Sequence, residues 1–402
     1  MSDLRERARE LDAADELAAV RADFVLDGPE DLVYLDGNSL GALPVNVPGA
    51  VEDVVRRQWG ELRIRSWTES GWWTAPERIG DRVAPLLGAA PGQVVVGDST
   101  SVNVFKALVG AVRLAPEGRD EILVDAATFP TDGYIAGSAA RMTGCTVRPV
   151  DPGAVPDALG PRTAAVLLNQ VDYRSGRLHD LPTLTAAVRA AGAVSVWDLC
   201  HSAGALSVGL DEHGVDLAVG CTYKFLNGGP GAPAYLYVRA EHQARFDSPL
   251  PGWNSHAEPF GMRAAYEPAD GAVRGRVGTP DILSMLALEA ALDVWSRPDV
   301  SVAAVRAKSL ALTDFFLECV AGYVPGDRVE VVTPAAHAER GSQVALRCAD
   351  AGAVMGRLIA AGVVGDFRAP DVLRFGFTPL YLGFAEVERA ARVLARELSR
   401  TD

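Results

Sequence analysis

Two residues in the middle of the chain could do chemistry together. Lys224 follows an apolar run in GVDLAVGCTYKFLNGGPGAP, and Asp198 closes another in AVSVWDLCHSAGAL, 26 residues earlier. An ammonium beside Phe225 and Leu226 is costly to desolvate. An uncharged lysine amine is a nucleophile that forms a Schiff base with an aldehyde. A carboxylate one strand away can pair with a protonated pyridine nitrogen. Those are the two groups a pyridoxal 5′-phosphate ring requires, one to hold its aldehyde and one to keep the ring an electron sink. Either residue alone is more often a cap, a turn former or an ion-pair partner. Composition tips the balance. Of the 38 basic residues in this 402-residue chain only three are lysines: Lys106, Lys224 and Lys308. Where charge alone is needed the chain uses arginine, so a retained lysine points to amine chemistry. Lys106 and Lys308 fall in amphipathic stretches that require only a solvated or ion-paired face.

The segments that must position the pair alternate between short apolar runs and helical periodicity. Strands are expected over 94–96, 121–124, 146–150, 164–168, 193–197, 217–221 and 234–238. Helices are expected between them over 102–112, 132–142 and 182–191. This predicts an α/β fold with an open, mostly parallel sheet, in which ligands bind at the carboxyl ends of the strands. The stretch SPLPGWNSHAEPFGM reads as a long ordered loop. Beyond it come helices over 281–296 and 302–323, strands over 328–333, 343–348 and 372–375, and helices over 351–361 and 384–399. Two units are expected: a large α/β domain, 51–264, and a small α+β domain of 1–50 with 265–402, because the first fifty residues have no sheet partner of their own.

The chain is 49% hydrophobic and 22% charged, which fits a globular protein with a large core. Its net charge of −14 argues against nucleic acid or an anionic membrane surface as a partner, since both need a cationic face. No apolar run is long enough for a transmembrane helix, and the charged N-terminal stretch lacks the apolar region of a secretory signal. The five cysteines form no CxxC pair and read as reduced, buried thiols, so a cytoplasmic protein without a metal site is expected.

Several strings carry a resemblance. LDGNSLG (35–41), FPTD (129–132), WDLCHSAGA (197–205), GCTYKFLNGGPGAP (220–233), PGWNSH (251–256), ERGSQ (339–343) and RFGFTPLY (374–381) resemble the kynureninase family in order and spacing. That family consists of pyridoxal-phosphate enzymes of fold type I in the class V aminotransferase-like group. The resemblance implies a PLP-dependent transferase-like fold of type I and hydrolytic cleavage of L-kynurenine or 3-hydroxy-L-kynurenine, in a homodimer with a shared active site. It implies that Lys224 holds the cofactor, that Asp198 pairs with its pyridine nitrogen and that Phe129 stacks on its face. Asp132 and His201 would hydrogen-bond near the ring. Tyr223 would touch the phosphate and carry a proton. Thr100 and Ser101 fall where the family binds phosphate, and independently a Ser-Thr-Ser run opening a helix is an anion site or a plain N-cap. Trp253 and Thr279 resemble positions that reach the phosphate of the neighbouring subunit. Thr279 departs from relatives with asparagine there. Arg374 matches the arginine that grips the substrate α-carboxylate, for which a guanidinium fork is suited. Ser39 and the run Trp59, Trp67, Trp72 and Trp73 are placed on the substrate side, although core packing is the better reading of the tryptophans.

The nearest alternatives are another class V enzyme, such as an aminotransferase or a cysteine desulfurase, and a catalytically silent cofactor-binding homologue. A desulfurase needs a nucleophilic cysteine on a mobile loop, whereas Cys319 and Cys348 fall in an expected helix and strand.

Overall fold

The computed structural model describes residues 4–26 and 32–400. Residues 1–3, 27–31 and 401–402 of the expected small domain lie outside these. The seven expected strands form one sheet: β1 (Val94–Val96), β2 (Glu121–Asp125), β3 (Thr146–Val150), β4 (Thr163–Asn169), β5 (Val194–Asp198), β6 (Leu217–Gly220) and β7 (Tyr235–Val238). Their order across the sheet is β1-β7-β6-β5-β4-β2-β3. Strand β7 runs antiparallel to both its neighbours, and the other adjacent pairs are parallel.

A sheet of this kind is buried on both faces, which is why its strands read as continuous apolar runs. Successive side chains still alternate. Val94, Val96, Leu168, Trp197 and Ala218 enter one core, and Val95, Leu167, Val196, Leu217 and Val219 enter the other. Helices α1 (Thr100–Leu114) and α2 (Pro130–Thr143) cover the second face through Val104, Leu108, Ala136 and Ala139. Helix α3 (Leu181–Ala190) covers the first through Leu184 and Val188.

The C-terminal part is built on a second, antiparallel sheet. It contains β8 (Glu330–Val331), β9 (Gln343–Arg347), β10 (Asp366–Arg368) and β11 (Val372–Gly376), in the order β8-β9-β11-β10. Helices α5 (Val302–Tyr323), α6 (Ala351–Ala360) and α7 (Phe384–Leu398) pack Phe315, Phe316, Leu358 and Leu394 on Val344, Leu346, Leu373 and Phe375. The N-terminal helix Leu4–Ala13 adds Ala8 to this core, and Val33–Tyr34 pairs in parallel with Val363–Val364.

Three elements differ from expectation. The helix expected over 281–296 is α4 (Ile282–Ala291) followed by a tighter 3₁₀ turn, Leu292–Ser296. Its Met285, Leu286, Leu288 and Leu292 belong to the large sheet's core, so it packs there although it lies beyond residue 264. The strand expected over 328–333 shrinks to β8, an exposed edge strand with one neighbour to hold it. Strand β10 is three half-buried residues, too short for a periodic signal. No helix among the described residues is long and apolar enough to cross a membrane.

Candidate active site

The carboxyl ends of β4, β5 and β6 converge on one cavity of about 120 Å³. Register places Asn169 opposite Asp198, and Asp198 opposite Val219, so the polar ends of two strands lie side by side. Lys224 follows four residues after β6. Eight of the expected site residues line this cavity: Thr100, Ser101, Phe129, Asp132, Asp198, His201, Tyr223 and Lys224.

The loop that carries Lys224 is held by segments distant in sequence. Gly41 donates its N–H to Tyr223 O at 2.8 Å, and Thr222 Oγ1 donates to Pro233 O at 2.6 Å. A Cβ on Gly41 would lie 2.3 Å from Lys224 O, so only glycine lets the 35–41 string lie against this loop. Three of the strings that carry the resemblance thus meet at the lysine. Lys224 Nζ lies 2.9 Å from His201 Nε2 and 5.9 Å from the Tyr223 ring centre. The other two lysines are neither solvated nor free. Lys106 is buried against Asp98 at 2.7 Å, and Lys308 against Asp15 at 2.6 Å. Lys224 is the one lysine among the described residues whose amine faces no carboxylate.

Asp198 is 5% exposed and accepts from Cys200 N at 2.6 Å. Asp132, in the first turn of α2, is equally enclosed and accepts from Asn169 Nδ2 at 3.2 Å. Burial pushes the Asp132 carboxyl up to about 9, and the adjacent, hydrogen-bonded Asp198 adds to the rise. At neutral pH the Asp132 carboxyl is therefore held protonated beside Asp198. A carboxyl that binds its proton more tightly folded than unfolded makes the fold lose stability as pH rises, here between the ordinary aspartate range near 3.8 and about 9. Asparagine mimics the protonated acid. In cofactor-free protein, Asp132→Asn should flatten that decline, which is at most about 1.4 kcal/mol per pH unit for one proton. Urea unfolding at mildly acidic and mildly alkaline pH checks this; equal slopes for wild type and variant would refute the raised Asp132 titration.

Helix α1 begins beneath the same cavity. Ser99 caps it, accepting from Val102 N at 3.4 Å. The cap is thus Ser99, and the hydroxyls of Thr100 and Ser101 line the cavity beside a helix N-terminus, an anion-binding arrangement. Burial first, and then the neighbouring Cys221 and Cys200, hold the Tyr223 phenol above its usual range, so it keeps its proton. Phe129 stands at the mouth, 42% exposed, with its ring edge-on to Tyr173 at 5.2 Å.

The remaining expected residues stand apart. Thr279 lines a neighbouring cavity of about 440 Å³ that shares Thr100, Ser101 and Tyr223 with the first. Trp253 lines neither cavity and packs with Trp67, Trp73 and Phe260 in a surface aromatic cluster. Trp72 donates to Gln58 Oε1 at 2.6 Å and packs on the core, whereas Trp59 is 60% exposed. Arg374 is 1% exposed and sits behind Tyr173. It donates to Tyr173 O at 2.7 Å and to Ser39 Oγ at 2.9 Å, and it pairs with Asp366. Asp366 lies directly opposite Arg374 on adjacent antiparallel strands, so this pairing follows from register.

Comparison with known proteins decides the family. The chain is 52% identical over 398 residues to a kynureninase of Deinococcus radiodurans, covering 98% of this chain and 96% of that one. The chain belongs to the kynureninase family. It is 47% identical to a Burkholderia pseudomallei kynureninase over 97% of this chain and 94% of that one. Residues 305–394 match the family described as "Kynureninase C-terminal domain". Among solved structures, the apo cysteine desulfurase of Thermococcus onnurineus NA1 superposes with a TM-score of 0.78 at 18% identity, covering 94% of this chain and 97% of that one. A cysteine desulfurase of Escherichia coli gives 0.79 at 20% identity, covering 95% and 98%. These likenesses establish the shared α/β fold. The cysteines set against desulfurase chemistry are core residues: Cys319 is fully buried in α5, and Cys348 is 6% exposed just past β9.

Sequence reasoning missed Asn169, Tyr173, Gln343 and Asp366. Asn169 was findable, since it ends a strand whose carboxyl end was already suspect. Gln343 stood unremarked inside ERGSQ. Tyr173 and Asp366 carry no local signal, because their roles come from what packs against them.

Proposed function

We propose that this chain hydrolyses the Cβ–Cγ bond of L-kynurenine, or of its 3-hydroxy form, to anthranilate or 3-hydroxyanthranilate and L-alanine, as a step of tryptophan degradation. The observation that carries this reading is the cavity that gathers Lys224, Asp198 and His201, in a chain 52% identical to a kynureninase.

The residues fit pyridoxal 5′-phosphate. The half-buried amine of Lys224 would take its aldehyde, Asp198 with the neighbouring Asp132 would serve its ring nitrogen, Phe129 would cover its ring, and the helix N-terminus with Thr100, Ser101 and Tyr223 would hold its phosphate. When bound, the cofactor supplies the electron sink that allows bonds near the substrate α-carbon to break. Lys224 is the base positioned to take the α-proton, and Asp198 keeps the adjacent ring nitrogen protonated. Tyr223, a neutral phenol on the cavity wall, carries the proton for the side-chain ketone, to which water adds before anthranilate leaves. Incubation of cofactor-loaded protein with kynurenine and with 3-hydroxykynurenine, followed by fluorescence of the aromatic product, tests the reading. Absence of product from both would remove it.

Arg374 binds the substrate α-carboxylate in this scheme, aided by Ser39. Asp366 already occupies one arm of its fork, so the substrate carboxylate exchanges with Asp366 rather than meeting a free guanidinium. Arg374→Lys keeps the charge but loses the fork, so KM should rise about 30-fold with a smaller change in kcat. Steady-state kinetics on kynurenine decide this, and an unchanged KM removes Arg374 from the site.

Within the same proposal, two chains form a cytoplasmic dimer in which Trp253 and Thr279 serve the partner's cofactor phosphate. The exposure of Phe260, which packs on Trp253, supports that arrangement, because an apolar surface of this kind fits a covered face. The small domain, 1–50 with 265–402, would carry Ser39 and Arg374 to a site built mainly by 51–264.

A further inference from the structure

Gln343 opens β9, in the C-terminal sheet, yet its side chain reaches the cavity wall of the large domain. Its Nε2 faces two main-chain carbonyls, Tyr173 O at 3.1 Å and Asp172 O at 3.4 Å. Carbonyl oxygens can only accept, so the backbone decides which end of this amide is nitrogen. Oε1 is thereby left facing His201 Nδ1 at 3.2 Å. An amide oxygen in turn can only accept, so His201 must carry a hydrogen on Nδ1. The ring is 8% exposed, and its charged neighbours Lys224, Arg374 and Arg368 are cations. Burial, reinforced by those charges, holds the imidazole well below its ordinary range, so it is neutral and has one N–H. Nε2 is then a bare acceptor, 2.9 Å from Lys224 Nζ.

We infer that Gln343 is a positioning residue that fixes His201 in its Nδ1–H tautomer and so makes His201 Nε2 the hydrogen-bond acceptor for the Lys224 amine. The consequence for function rests on the reading of Lys224 as the amine that bonds the cofactor. An acceptor on one side of Nζ pins one N–H, and that N–H stays in place when the ammonium gives up a proton and frees the lone pair that attacks an aldehyde. Gln343 also ties the C-terminal sheet to the cavity wall at Tyr173, so the tautomer depends on the seating of β9.

The test is nitrogen NMR of full-length, cofactor-loaded protein labelled with ¹⁵N-histidine, with His201 assigned by its loss in His201→Asn. The expected result is a protonated Nδ1 and a bare Nε2 at neutral pH. In Gln343→Leu the protonation should shift toward Nε2, and capture of cofactor by the stripped protein should slow about tenfold, the effect of one hydrogen bond. A wild-type ring protonated at Nε2, a tautomer unmoved by Gln343→Leu, or an unchanged capture rate in that variant would each overturn the inference. Should Gln343→Leu fail to fold, the wild-type nitrogen shifts decide alone. The proposed reaction is judged separately: loss of anthranilate formation by wild type would count against the function and leave the tautomer standing.

Discussion

Lys224→Ala should lower kcat for kynurenine by about 10⁴-fold or more, because in the proposed scheme one substitution removes both the nucleophile that holds the cofactor and the base that takes the α-proton. The fold should survive. Lys224 is half-buried, its amine bonds only to His201, and the backbone contacts of its loop at Tyr223 and Thr222 do not involve its side chain. Stability should therefore change by less than about 1 kcal/mol, as for substitutions that leave no cavity and break no buried charge pair. Product fluorescence gives the rate, and the visible absorbance of lysine-bound cofactor gives the second readout. A purified variant that keeps both would show that a different residue holds the cofactor.

Asp198→Asn should lower kcat by about 10³-fold while preserving the shape of the site, since the amide is isosteric but cannot keep a pyridine nitrogen protonated. Cofactor should also bind about tenfold to a hundredfold more weakly, the scale of a lost charge-assisted hydrogen bond. A second effect follows from the neighbouring acid. Asp132 is raised first by its burial and then by the Asp198 charge, so removing that charge should lower the Asp132 titration without returning it to the ordinary range. Stopped-flow kinetics and equilibrium dialysis measure the first two effects, and pH titration of the stripped variant measures the third. Activity within tenfold of wild type would place the nitrogen partner elsewhere.

Much of the site was legible before folding because its strongest signals are local. The run ending in Asp198 and the run before Lys224 are strands buried on both faces, so each reads as an unbroken apolar string closed by a polar residue. The scarcity of lysine then marked Lys224. Helix α1 was legible for a similar reason, since a serine cap before an amphipathic stretch is a short-range pattern. The cap assignment needed the structure: Ser99 takes that role, leaving Thr100 and Ser101 on the cavity. The expected helix over 281–296 shows where local pattern stops informing. Its periodicity was visible, but periodicity does not say which core receives the apolar face, and that face packs on the large sheet.

The sequence alone made legible the mostly parallel sheet, the placing of Asp198 at the end of one strand and Lys224 just past the next, and the family. These rest on composition, on period-two and helical patterns, and on contiguous strings. Folding sets the raised titration of Asp132 beside Asp198, the hold of Asp366 on Arg374, and the contact of Gln343 with His201 across 142 residues of sequence. The physical reason is common to all three. A proton's position and a guanidinium's partner depend on burial and on donor–acceptor geometry between strands whose register is set by packing. Even Asp366 and Arg374, close in sequence, meet only because antiparallel register sets them opposite each other, and the other two contacts join residues far apart in the chain.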